Sequence, residues 1–418
     1  MTLNAKRRRV HEKLAALPGV KPVRRPVTPG DSRRFDLYYV RTGRRSACPL
    51  VIIPGGPGVA SVQLYKGLRR RAAAEGLDVI MIEHRGVGMS RHDDSGADLP
   101  PQAMTVNQVV DDVAAVLDDA QVDRAVIYGT SYGSYIAAGI GVRHPDRLQA
   151  MILDSPLLSQ HDLQAVRDAI RGLLWDGADP DTAELAPKVR RLVDEGVLNP
   201  TAGQLAAVIY GYGGARLLDR QLNLLLQGRT LLWAALARVG TMAMRKVPYR
   251  NETDLVGRIG YRELNYAGQP DGLPLDPSEA MRELASAETD FEAEPYDLVE
   301  AMPKFDWPTA VISGGRDLIT PRSVAERIVS LIPGAVLVGL PTAAHSIIDT
   351  RERAAFTVAK AVQTGEADKL SGLGPELDEL PTSPAMRLAI TAIAAAAVVE
   401  DKVPALLPRV IRRAAPTS

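Results

Sequence analysis

Between residues 35 and 155 short apolar runs alternate with stretches of helical spacing. "FDLYYV" (35–40), "PLVIIP" (49–54), "LDVIMIE" (77–83), "RAVIYG" (124–129) and "LQAMILD" (148–154) predict strands. The later ones are continuously apolar, as strands buried on both faces of a parallel sheet are. Helical spacing over about 61–75, 105–120 and 132–144 fills the gaps between them. The rhythm predicts an α/β fold, a mostly parallel sheet covered by helices on both faces. Residues 157–305 break it: Leu, Ala, Arg and Asp recur at helical spacing, as in "QLNLLLQGRTLLWAALARV" (221–239), and few strand-like runs remain. A helical insertion large enough to form a cap is expected there. Strands resume at "PTAVISGG" (308–315) and "AVLVGLP" (335–341), each followed by a helix.

The division that follows is an N-terminal arm (1–34), a first core segment (35–156), the helical cap insertion (157–305) and a second core segment (306–364). A linker and helical C-terminal extension (365–418) complete it. The linker composition is that of "TGEADKLSGLGPELDELPTSP", and the last helix is expected from about 385 to 413. Composition adds exclusions. Of 418 residues, 46% are hydrophobic, enough for a large core, and 50 basic residues balance 50 acidic ones. No polyanion is favoured as a partner, so a nucleic-acid function is not expected. The single cysteine, Cys48, allows no internal disulfide and fits a reducing cytosol. The basic start "MTLNAKRRRVHEKLAALPGV" is interrupted by Glu12 and Lys13, and "LAALPGV" is too short for a signal-peptide core. It reads as a solvated arm on a cytoplasmic protein. No apolar run reaches the roughly 18 residues of a membrane span. The nearest, "LAITAIAAAAVV" (388–399), reads as a packed helix, so no stable membrane insertion is expected. Oligomeric state is not assigned by any of these patterns.

The chemistry starts at "GTSYGS" (129–134), a G-x-S-x-G that follows an apolar strand and opens a helix. Small flanking residues let the chain turn so tightly that the Ser131 side chain projects at a helix N-terminus. Alone, the pentapeptide is equally a tight strand-to-helix turn. A serine needs a base, and of the six histidines His345, in "LPTAAHSII", lies directly after the last strand and before the final helix. His11, His92, His144 and His161 read as solvated or capping residues. Asp317, in "VISGGRDLITP", follows the preceding strand and two glycines. The order Ser131, Asp317, His345, each at a strand's carboxyl end, is that of a Ser-His-Asp triad on an α/β-hydrolase sheet. The "VIIPGGPGVA" loop (51–60) brings Gly55, Gly56 and Gly58. A Gly56 N–H with the Tyr132 N–H would make an oxyanion hole. No phosphate-binding glycine motif and no histidine–carboxylate cluster at ligand spacing is present, so neither cofactor nor metal is implied.

Three motifs resemble the proline iminopeptidase (prolyl aminopeptidase) family of serine peptidases within the α/β-hydrolase superfamily. "PGGPG" (54–58) resembles its HGGPG loop, with Pro54 where histidine is usual. "EHRGVGMS" (83–90) resembles its D-x-R-G-x-G-x-S segment, with Glu83 for aspartate. "GTSYGS" resembles its nucleophile elbow. The resemblance covers about 35–156 and 305–364 and implies that Ser131, Asp317 and His345 are nucleophile, orienting acid and base. It also implies that Gly56 and Tyr132 hold the oxyanion, that Arg85 and Glu83 brace loops by charge pairing, and that His84 is a loop residue. "YRELNYAG" (261–268) is similar to the family's H-E-x-I-Y-A cap sequence, with Arg262 in place of histidine. This implies that Glu263 binds a substrate ammonium. The expected activity is therefore acyl transfer by an aminopeptidase releasing N-terminal residues from small peptides. An esterase or lactonase acting on small apolar esters is the alternative, followed by a non-catalytic binding protein on the same fold.

Overall fold

The structure is a computed structural model that describes residues 4–180, 182–244, 246–285 and 290–402. The strands are β1 (Val20–Pro26), β2 (Arg34–Thr42), β3 (Leu50–Ile53), β4 (Val79–Ile82), β5 (Ala125–Thr130), β6 (Leu148–Asp154), β7 (Thr309–Gly314) and β8 (Val336–Leu340). They form one sheet in the order β1-β2-β4-β3-β5-β6-β7-β8. From β4 to β8 every pairing is parallel, while β2 is antiparallel to β4 and β1 to β2. Strands β3, β4 and β5 are buried along their whole length, which is why their sequences do not alternate. The two-residue period survives in the packing. Ala125 and Ile127 join a core with the helices Val106–Asp119 and Tyr132–Arg143. Val126 and Tyr128 face the helices Lys66–Ala74 and Glu352–Gln363 on the other side. This is the layered α/β arrangement that the strand–helix rhythm predicts.

The start of the chain, read from sequence as a solvated arm, is packed instead from Asn4 onward. Helix Ala5–Ala15 is capped by the Asn4 side chain, which accepts the Arg7 N–H, and it buries Arg7 and Leu14. β1 follows it as an edge strand. Its Pro22 and Pro26 and its basic residues hid it, yet proline is tolerated at an edge, where one side of the ladder is unpaired. The charges are used: Arg25 pairs with the buried Asp112 at 2.8 Å.

Between β6 and β7 the described residues add no strand to the sheet. Helices Asp162–Arg171, Leu185–Asp194, Pro200–Leu226, Leu231–Met244, Thr253–Arg262 and Pro277–Leu284 occupy this segment. Leu174, Leu185, Val189, Leu218 and Leu222 form an apolar cluster apart from those of the sheet. The helix Pro200–Leu226 is broken at Gly214 (φ 75°, ψ 177°). There it crosses the carboxyl edge of the sheet: a Cβ on Gly214 would lie 2.9 Å from the Arg316 guanidinium, and one on Gly211 3.5 Å from Ala344. The stretch with linker composition is docked rather than free, since Leu370 and Leu377 are buried against the sheet's core. Helix Pro384–Lys402 then packs on the insertion, and its Glu400 carboxylate accepts the Leu231 and Leu232 N–H groups, both at 2.9 Å. The remainder of the expected last helix, 403–413, lies outside the described residues. Among the described residues no helix is long and apolar enough to cross a membrane.

Candidate active site

Ser131 sits between β5 and helix Tyr132–Arg143 with φ 53° and ψ −123°, a conformation costly for a residue with a Cβ. Three bonds hold it. Its N–H donates to the Asp154 carbonyl (2.9 Å), and its carbonyl accepts from the Ser134 N–H (2.8 Å) and Ser134 Oγ (2.6 Å). The flanking glycines are steric requirements. A Cβ on Gly129 would stand 2.1 Å from the Gly133 carbonyl oxygen, and one on Gly133 2.1 Å from that of Ile53. The glycine-rich loop after β3 lies beside the serine: a Cβ on Gly55 would be 3.2 Å from Ser131 Cβ and 3.8 Å from its Oγ. Tyr132, next in sequence, opens the helix, where the first N–H groups have no intrahelical acceptor.

Asp317 and His345 meet in the loops after β7 and β8. Asp317 Oδ1 accepts the Ile319 and Thr320 N–H groups, both at 2.9 Å. Its Oδ2 accepts the Thr320 hydroxyl (2.8 Å) and stands 2.9 Å from His345 Nδ1. A carboxylate engaged in this way accepts a proton-bearing Nδ1, which leaves Nε2 as the basic nitrogen. The Asp317 side chain is fully buried and that of His345 is 14% exposed. Burial works to lower the His345 pKa, but Asp317, with Asp154 and Asp349 behind it, outweighs burial and leaves it above the ordinary 6.5. Burial likewise works to raise the Asp317 pKa, and the imidazole and Thr320 reverse the shift. If deprotonated His345 is the working base, the rising limb of a kcat/KM–pH profile is expected above pH 6.5, because a raised pKa delays the neutral form to higher pH. A limb centred below that value would mean that this pair does not set the rate.

One residue at the site had not been singled out from the sequence. Asp154 ends β6, and its carbonyl holds the Ser131 N–H. Its carboxylate accepts the Ile347 and Ile348 N–H groups, both at 3.0 Å, and the Tyr128 hydroxyl at 2.9 Å. Asp154 therefore ties the serine turn to the loop that carries His345. Thr130 Oγ1 and Ser346 Oγ, each from a residue adjoining a candidate, lie 3.2 Å apart. Ser155 Oγ accepts the Ser346 N–H at 2.9 Å. Ser155 (φ 48°) and Ser346 (φ 63°) share the positive φ of Ser131, so each of the carboxyl ends of β5, β6 and β8 carries a strained serine or a serine neighbour of the site. The available signal was a carboxylate closing the apolar run "LQAMILD".

The "EHRG" residues brace loops, although not as a pair with each other. Arg85 forks onto Asp112 (2.6 and 2.7 Å) and also donates to the Val27 and Ala103 carbonyls and to Gln108. Glu83 accepts the Ser61, Val62 and Met89 N–H groups, and burial pushes its pKa up to about 7. His84 is buried edge-on against Tyr132, and burial lowers its pKa to about 4, so it is neutral. Glu263 Oε2 accepts the Val106 N–H at 2.8 Å, at the start of helix Val106–Asp119. Burial raises the Glu263 pKa, and after burial its charge is the largest influence pushing up the phenol of Tyr132, beside Ser131.

The profile of a family described as alpha/beta hydrolase fold matches residues 49–224. A probable proline iminopeptidase of Leptolyngbya boryana is 27% identical over 136 residues, covering 32% of this chain and 40% of its own. A 2-hydroxymuconate semialdehyde hydrolase of a Pseudomonas strain is 30% identical over 148 residues, covering 35% of this chain and 46% of its own. The chain thus spans less than half the length of these relatives. A solved structure of proline iminopeptidase from Mycobacterium smegmatis aligns with TM-score 0.52 and 19% identity, over 83% of this chain and all of that one. At that identity the likeness is one of fold. The chain has the α/β-hydrolase fold and resembles proline iminopeptidases.

Proposed function

We propose that this α/β-hydrolase-fold protein is a serine hydrolase, and specifically an aminopeptidase that releases N-terminal residues from small peptides. The observation that carries the reading is the Asp317–His345 pair at 2.9 Å, tied through Asp154 to the strained turn bearing Ser131. In this reading His345 Nε2 takes the Ser131 proton as the oxygen attacks the peptide carbonyl. The N–H groups of Gly56 and Tyr132 hold the resulting oxyanion, and Asp317 stabilises the imidazolium. The imidazolium then protonates the leaving amine as the C–N bond breaks. Water, deprotonated by His345, attacks the acyl-enzyme and frees Ser131. The helix Pro200–Leu226, crossing the carboxyl edge of the sheet, would restrict the entrance to small substrates.

The aminopeptidase half of the proposal rests on Glu263. Its pKa is raised by burial, the state of a carboxyl short of compensating cations, and a substrate ammonium would supply one. Acetylating the substrate amine is expected to lower kcat/KM by about 10- to 150-fold, taking roughly 1.5–3 kcal/mol for a hydrogen bond to a charged group. Aminoacyl p-nitroanilides measured with and without the acetyl group give the number. Equal rates for the two would rule out amine recognition. In that case the esterase or lactonase reading takes over, and acyl p-nitrophenyl esters would be the better substrates.

A further inference from the structure

The loop 54–60 beside Ser131 has an outer wall that comes from a distant part of the chain. Glu252 donates its N–H to the Gly58 carbonyl at 2.8 Å, and the Arg250 carbonyl accepts the Ala60 N–H at 2.9 Å. Val59 and Asn251 form an antiparallel bridge between these bonds. The contact is close, since a Cβ on Gly58 would lie 2.9 Å from Thr253 Cγ2. Segment 247–253 is thus a strap laid along the loop.

The Glu252 side chain fixes the strap. It is fully buried, and its Oε2 accepts the Gly88 N–H (2.6 Å), the Tyr249 N–H (3.2 Å) and Arg7 Nη2 (3.0 Å). Its Oε1 lies 2.7 Å from Arg7 Nη1. Arg91 stands farther off at 3.5 Å and is committed to Asp98 and Asp254, each at 2.8 Å. Arg7, from helix Ala5–Ala15, is therefore the main countercharge of a buried carboxylate. Its guanidinium also lies 4.9 Å from the centre of the Tyr249 ring, and its carbonyl accepts the Tyr249 hydroxyl at 2.7 Å. With Arg7 only 6% exposed, the pair is out of water, where losing one partner is costly.

We propose that Arg7 is a positioning residue for the oxyanion loop, acting through Glu252 and the 247–253 strap. The inference rests on the reading of Gly56 as an oxyanion donor. A donor displaced by a fraction of an ångström stabilises the transition state less while substrate still binds. The N-terminal helix and the insertion thus set one wall of the site from outside it.

Three variants test this: Arg7→Met, Glu252→Gln and Arg7→Lys. Turnover of the peptide substrate is normalised to the fraction of Ser131 that a fluorophosphonate titrates, well below each variant's unfolding temperature. Arg7→Met and Glu252→Gln are expected to lower kcat by about 10- to 100-fold with KM changed by roughly twofold or less, as for a small misplacement of reacting groups. Arg7→Lys, keeping the charge, is expected to recover most of kcat. Should Arg7→Met fail to fold, Glu252→Gln decides the matter, because it keeps the shape and an acceptor for Gly88. A lowered Tm with wild-type kcat per titrated site would overturn the proposal and leave Arg7 a purely structural residue. If the wild-type serine does not titrate at all, it is the reading of the active site that fails instead.

Discussion

Ser131→Ala is expected to lower kcat by roughly a million-fold, the scale on which removing a serine nucleophile acts when the rest of the site stays intact. The reason is local. The Ser131 N–H bond to Asp154 and its carbonyl bonds to Ser134 are made by backbone atoms of residue 131, so alanine preserves the turn. Among the described residues the hydroxyl takes no part in the hydrogen bonds that hold the turn. Activity is therefore expected to collapse with little change in Tm, and substrate binding is expected to persist. The measurement is kcat on peptide substrate beside the far-UV spectrum and the thermal transition. A variant retaining a tenth of wild-type kcat would show that another group performs the chemistry.

Asp317→Asn is expected to cost about 10⁴-fold in kcat, the size of effect seen when an orienting carboxylate becomes an amide. The introduced side chain would still offer a carbonyl to the Ile319 and Thr320 N–H groups, so the loop should keep its shape. Its NH₂ then takes the place of Oδ2 beside His345 Nδ1, where it demands the wrong tautomer and brings no charge to stabilise the imidazolium. The pH profile separates this from a merely structural loss. Removing a negative charge 2.9 Å from the imidazole lets burial dominate, so the His345 pKa should fall and the rising limb of the residual activity should move to lower pH. An unmoved limb would assign it to a different group.

How far the sequence could be read depends on the range of the interactions. The serine turn was legible because its constraints are local. Gly129 and Gly133 are forced by backbone contacts within the turn and with Ile53, and the G-x-S-x-G spacing records them directly. Asp317 and His345 were legible one step further out, since each follows a recognisable buried strand and two such loops adjoin in a parallel sheet. Asp154 was not, although it sits at the end of an equally clear strand. Its partners are N–H groups 193 and 194 residues away, and a backbone donor has no sequence signature. The same holds for the N-terminal helix, whose polar composition read as solvated while Arg7 is buried against a carboxylate 245 residues distant. Glu83 and Arg85 show the intermediate case. Bracing was foreseeable from the motif, but the partners were not: Arg85 took Asp112, and Glu83 took three backbone N–H groups. Glu263 matched a short cap pattern, and the structure gives one of its oxygens to the Val106 N–H, which leaves its part in amine recognition to solution measurement.

Fluorophosphonate labelling followed by peptide mapping tests whether Ser131 is a nucleophile activated by His345. A single adduct is expected on the peptide that contains Ser131, absent from Ser131→Ala and formed far more slowly by His345→Gln. Label and hydrolytic activity are expected to be lost in parallel. A folded wild-type protein that takes no label, or one labelled equally well in the Ser131→Ala variant, would contradict that role of Ser131.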